Sequence, residues 1–302
     1  MMSFRAQFLR TLIISILAML MVVLIVLFPR DLDIRMDDYR MDMNYSFSWA
    51  KYGNNIKGFF AALFEEGSLG IDRYNLPIVT VVLTSVAKSL AVIVTALILS
   101  FGLGVLKGII DYKLSRTKWS FFGNWTTWLF QSLPDFLVLL LIQWYVIRYL
   151  PFIRIFSPDQ WYSFLLAAVL VSIYPTMYIA RITSASIADQ DGKMYIMVAR
   201  AKGLTQRLIF YKHVFYNSFG TILTHLSSLF VYVLSNLLMV EYFTNFPGAA
   251  YRLFLAIDYS VNFGTGFNYE PGVIIGIAFC FMIMVLIVQW ISLAARRHFE
   301  AR

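Results

Sequence analysis

Residues 195–219 read YIMVARAKGLTQRLIFYKHVFYNSF, a basic, amphipathic block without a membrane-spanning apolar run in a chain otherwise dominated by such runs. Gly203 supplies a turn position where a Cβ would be costly, and Thr205 stands where it can cap the helix that follows. Beyond it Leu208, Ile209, Phe215 and Phe219 alternate with Arg207, Lys212 and His213. Apolar residues in that arrangement can fill a partner's groove while the cations stay in water. From charge alone the block reads equally as an ordinary basic loop that keeps membrane topology right.

The rest of the sequence places the block in an integral membrane protein. Of 302 residues 60% are hydrophobic and only 14% charged, outside the soluble range of about half apolar and a quarter charged. Runs of about 17–25 apolar residues can cross a bilayer core, and six are visible: 12–28, 89–106, 125–146, 161–180, 222–241 and 273–294. Backbone groups in lipid must be satisfied within the span, so the expected fold is all-α with six transmembrane helices. Residues 78–110 form a longer apolar stretch than one span needs, which predicts an interfacial helix ahead of Lys88 and a crossing helix after it. Pro134 predicts a kink in the third span. Gly102, Gly104 and Gly108 predict close helix packing.

Charge sets the orientation. With the N-terminus inside, the inner segments hold fifteen Lys and Arg against four carboxylates, and the outer segments nine against twelve. Both termini are then cytoplasmic, residues 29–88 form an extracytoplasmic loop and residues 181–221 a cytoplasmic one, all within a single domain of residues 1–302. The net charge of +8 therefore reports topology and not nucleic-acid binding. Cys280 is the single cysteine, so no disulfide forms within the chain, and His213, His225 and His298 are too scattered for a zinc motif. There is no P-loop sequence for ATP, and no nucleophile–base pair or metal-ligand cluster.

Several motifs recur together. Ala199-Arg200-Ala201-Lys202-Gly203-Leu204, with His213 ten residues after Gly203 and then Asn217, resembles the ATPase-coupling loop of permeases in binding-protein-dependent ABC importers. The similarity is greatest to the first permease of the oligopeptide/dipeptide/nickel group. Ser132-Leu133-Pro134-Asp135-Phe136 resembles that family's S-L-P-x-F. The stretch from Val240 to Ala250 resembles its V-E-x-x-F-x-x-P-G segment, and residues 67–77 loosely resemble its D-L-G turn. Met197 stands where the coupling motif has an acidic residue.

The resemblance implies the type I ABC importer permease fold, at the cell membrane. Its partners would be a second permease, two ABC ATPases that use ATP and Mg, and an extracytoplasmic substrate-binding protein; this chain would bind no cofactor or metal and carry out no catalysis. Coupling would fall to Ala199, Arg200, Ala201, Lys202, Gly203, Leu204, Arg207 and His213. Candidates for the translocation path or gate are Gln131, Ser132, Pro134, Asp135, Asn236, Glu241, Pro247 and Gly248. Asp135, a carboxylate at membrane depth, reads either as facing the path or as a structural group bonded to a neighbouring helix. By resemblance the cargo is a peptide, with nickel, metallophores and other small solutes as the alternative. A secondary transporter or a membrane enzyme is the competing class, and the intramembrane ionisable clusters either would use are not visible in the sequence.

Overall fold

The computed structural model describes residues 4–30, 32–37, 40–45, 47–65, 67–118, 120–150, 163–258, 261–262, 266–267 and 269–300. They are overwhelmingly helical. Five helices are long and apolar enough to cross a membrane: α1 (Phe4–Val26), α3 (Ile78–Ser115), α6 (Ser163–Asp191), α10 (Leu226–Thr244) and α12 (Pro271–Glu300). A sixth span exists if the bent pair α4 (Ser120–Ser132) and α5 (Asp135–Tyr149) is one crossing. The expected kink at Pro134 is a bend of 100° between these two helices. Pro134 itself is extended, with φ −58° and ψ 135°, and opens α5, so the span is broken at the residue that cannot donate a backbone bond. Of the expected fourth span, Trp161 and Tyr162 lie outside the described residues.

The split expected ahead of Lys88 is not found. Residues 78–115 form one uninterrupted helix of 38 residues, roughly 57 Å at 1.5 Å per residue. The stretch around Lys88 contains neither Pro nor Gly, and a single exposed lysine does not interrupt it. The segment before α3 adds an antiparallel hairpin, β1 (Leu32–Asp37) with β2 (Arg40–Tyr45), and the amphipathic helix α2 (Trp49–Glu65). A second, two-residue pairing joins β3 (Val261–Asn262) to β4 (Gly266–Phe267).

The chain forms two compact units. One comprises residues 1–86 and 252–283, the other residues 87–251 and 284–302. In the first, Val23, Val26, Ile78, Val82, Val273 and Ile277 are buried, and an ionic cluster pins the turn before α3. Asp72 accepts the N–H groups of Tyr74 (2.8 Å) and Leu76 (2.9 Å). Arg252, on α11 (Ala249–Ile257), pairs with Asp72 at 3.4 Å and with Glu270 at 2.6 Å. Arg73 donates its backbone N–H to Glu270 at 2.7 Å and its guanidinium to the Leu255 carbonyl at 2.6 Å. Burial pushes the Glu270 carboxyl up, but the hydrogen bonds from Arg252 and Arg73 outweigh it and hold the group below its ordinary range.

In the second unit α6 is central. Ala168, Val171, Ile179, Ala180, Thr183 and Ile187 are almost wholly buried as α6 packs on α4, α10 and α9 (Tyr216–Thr224). Gly104 and Gly108 of α3 meet it closely. A Cβ at Gly104 would lie 2.7 Å from the Ile179 Cβ, and one at Gly108 2.5 Å from the Ala180 carbonyl oxygen. This small-x-x-x-small face is how apolar helices approach one another without a hydrophobic drive between them. Gly102 faces open space, so its expected packing role falls to the other two.

Candidate functional site

The basic amphipathic block of residues 195–219 follows the end of α6. That helix runs ten residues past Arg181 to Asp191. After a turn come α7 (Met194–Ala201), the single-turn α8 (Gln206–Leu208), a π-helical stretch (Ile209–Phe215) and α9. Gly203 has φ +76°. The Leu204 N–H bonds to the Ala199 carbonyl and the Gly203 N–H to the Arg200 carbonyl, the paired closing bonds of a helix that ends in a left-handed residue. A Cβ on Gly203 would touch nothing within 4 Å, so glycine is required by conformation and not by space. Thr205 occupies the expected cap position before α8, but its side chain makes no capping bond.

The apolar face predicted for a partner's groove is largely spent on the chain itself. Ile196, Ala199, Ile209 and Val214 are buried with Tyr112 and Ile187, and Leu204, Phe210 and Phe215 pack against them. The face left open includes Met194 (81% exposed), Met197 (59%), Val198 (54%), Tyr211 (57%) and, from the predicted apolar face itself, Leu208 (44%), with Ala201, Lys202, Gly203 and Arg207 exposed beside them and His213 half-buried. Asn217 donates to the Tyr195 hydroxyl (3.1 Å), which donates to Gln190 (2.7 Å), tying α9 and α7 back to α6. The handle is therefore braced to the bundle and presents only its outer side.

Asp191, one of the four inner carboxylates of the sequence, holds that brace, and no local motif marks it. It accepts the Tyr112 hydroxyl at 2.8 Å and Arg200 at 3.0 Å, and pairs with Arg116. Its side chain is 8% exposed, so the ends of α3, α6 and α7 converge on one nearly buried carboxylate.

The path candidates fall into three groups. Gln131 bridges α4 to α6, donating to the Met177 carbonyl (3.4 Å) and accepting from Arg181 (2.9 Å). Asp135 and Asn236 line one crevice with Tyr174, of about 20 Å³, room for roughly one water. Asp135 accepts the Phe136 N–H at 2.9 Å, at the α5 N-terminus where the helix dipole favours a carboxylate. Asn236 bonds back to the Tyr232 carbonyl (2.9 Å) and Ser132 to the Leu129 carbonyl (2.9 Å), both within their own helices. Glu241, Pro247 and Gly248 come together around the start of α11. Glu241 is fully buried; it accepts Ser89 Oγ (2.5 Å) and the N–H groups of Ala250 (2.8 Å) and Tyr251 (3.3 Å), while Ser89 Oγ takes the Ala249 N–H (2.7 Å). The first three N–H groups of α11, which have no partner inside the helix, are thus all satisfied. A Cβ at Gly248 would collide with the Glu241 carboxylate.

Residues 100–300 match the family described as binding-protein-dependent transport system inner membrane component. The chain belongs to this family. The match takes in the coupling block, the Ser132–Phe136 bend and the Glu241–Gly248 corner, and the chain is accordingly a multi-pass membrane permease of the ABC transporter class. Among similar proteins are the dipeptide transport system permease protein DppB of Alkalihalophilus pseudofirmus, 24% identical over 73% of each chain, and the peptidoglycan transport system permease protein YejB of Agrobacterium fabrum, 25% identical over 70% of this chain and 61% of the relative. The DppB protein of Bacillus subtilis is 30% identical over 48% of each. This permease thus aligns with about half to three quarters of the length of these relatives.

Proposed function

We propose that this permease forms half of a peptide translocation path in an ATP-driven importer, paired with a second permease, two cytoplasmic ATPases and an extracytoplasmic binding protein. The observation that carries the reading is the braced handle of residues 194–208, set at the end of α6 inside the family-matched region. Peptide cargo is supported by relatives named for dipeptide transport. The chain holds no ATP site of its own and leaves hydrolysis of MgATP to its partners. A cytoplasmic position for both termini and the handle is supported by charge, fifteen of the 25 Lys and Arg falling on that side with this orientation.

Mechanically, closure of the ATPases pushes on Met194, Met197 and Val198. The Asp191 junction passes that displacement to α3 and α6 together, because all three helix ends share one carboxylate. Gly104 and Gly108 keep α3 seated on α6 as they move, and the bundle exchanges outward for inward access. Intact-complex mass spectrometry on the chain purified from its own membranes tests this composition: two P-loop ATPases and a second permease are expected, and a complex without ATPases would refute it.

A further inference from the structure

Beside the handle lies a basic crevice of about 530 Å³. Lys113 and Arg116 come from the end of α3, Asp191 from α6, Arg200 from α7, and Arg207 and Phe210 from the segment beyond. Four cations face one carboxylate. Arg116 and Arg200 both pair with Asp191, yet two guanidinium groups carry about ten N–H donors between them, far more than two carboxylate oxygens accept. The cationic heads are held in place: Arg116 lies over the Tyr112 ring at 4.8 Å and the Lys113 ammonium over the Phe210 ring at 5.2 Å. A concave, preorganised excess of positive charge with forked donors recognises an oxyanion, a carboxylate above all.

Depth decides where that anion comes from. The apolar run of the fourth span, 161–180, is long enough to cross the hydrocarbon core and ends at Ala180. Asp191 is eleven residues further, roughly 16 Å beyond the core edge at 1.5 Å per residue. The headgroup layer is only about 5–8 Å deep, so the crevice opens past the reach of lipid phosphate and into the space a cytoplasmic partner occupies. On the coupling reading above, we infer that the crevice receives an aspartate or glutamate side chain of the partner ATPase, a second and polar attachment beside the apolar contact of α7. With that side chain in place, α3, α6 and α7 are clamped by one anion and move as one body.

The test is zero-length carbodiimide cross-linking of the whole complex, which joins a lysine amine to a carboxylate in direct contact. Lys113 is the amine in the crevice. A peptide joining Lys113 to an Asp or Glu of the ATPase is expected, lost in Lys113→Arg, which keeps the charge without the reactive amine. Arg116→Glu should weaken retention of the ATPase on the membrane roughly tenfold or more, a factor of ten being a modest loss of binding free energy. Linkage of Lys113 only to Asp191, only to phosphatidylserine, or to nothing while Lys202 links to the ATPase would overturn the crevice assignment and leave the coupling reading intact. Absence of any ATPase in the purified complex would overturn both.

Discussion

Glu241→Ala removes the acceptor of two backbone N–H groups at the start of α11 and of the Ser89 hydroxyl, inside a site where the carboxylate is fully buried. A buried donor left without a partner costs about 1–3 kcal/mol, so stranding the Ala250 and Tyr251 N–H groups costs roughly 2–6 kcal/mol in all. On the thermal scale this lowers the apparent midpoint of the purified complex on the order of 3–10 °C. Glu241→Gln keeps one acceptor and should lose about half as much. Gly248→Ala reaches the same site from the other side, because its Cβ collides with the carboxylate and pushes it off the helix end, so the single change also destabilises. The decisive sample is the double variant. Two changes that break one contact are strongly non-additive, so Glu241→Ala combined with Gly248→Ala should melt close to Glu241→Ala alone. Full additivity across the four proteins, measured by tryptophan fluorescence on heating, or a wild-type midpoint for Glu241→Ala, would refute the cap.

Three further outcomes follow from the same geometry. Gly203→Val forces a side chain into a backbone at φ +76° that costs L-residues about 1–2 kcal/mol or more; membrane levels should stay normal while uptake is lost, and undiminished uptake would remove the handle from the mechanism. Asp135→Asn keeps an acceptor for the Phe136 N–H and gives up only a dipole interaction of about 0.3–1 kcal/mol, so the midpoint should hardly move, and a large fall would mean a buried partner that the N-terminal position does not account for. Because the Glu270 carboxyl is held below its ordinary range, its contribution is present above the unfolded-state value of about 4.3 and is lost as pH falls through its lower folded-state value. Hydrogen exchange in residues 67–77 should accelerate below about pH 4, and Glu270→Gln should remove that pH dependence.

What the sequence makes legible is what local pattern can carry. The spans follow from apolar run length, the break at Pro134 from the missing N–H, and the left-handed turn at Gly203 from its place between two amphipathic segments. Lys88 misled because a charge in an apolar run marks a membrane boundary without marking a helix end; only Pro or Gly would have done that. The apolar side of residues 208–219 is divided, with Leu208 exposed and Ile209 and Phe215 turned to the bundle. Periodicity marks an apolar face and says nothing of whether the covering surface belongs to the same chain, and here Tyr112 and Ile187 of the bundle cover Ile209 and Val214. The remaining sites join residues far apart in sequence: Ser89 with Glu241, Asp72 with Arg252, Tyr112 with Asp191. No single-segment pattern marks either member of such a pair, so their roles emerge only when the helices are packed.

On the proposed function, movement of solute through this chain is driven by ATP hydrolysed elsewhere and delivered through residues 194–208. The most direct measurement is peptide accumulation in proteoliposomes holding the complete complex, with the binding protein and labelled peptide on the outside and MgATP enclosed. Uptake is expected to need enclosed ATP, to persist when proton and sodium gradients are collapsed, and to disappear in Gly203→Val while the complex stays assembled. Uptake that proceeds without ATP, or that stops when an ion gradient is removed with ATP still present, would contradict the proposed function.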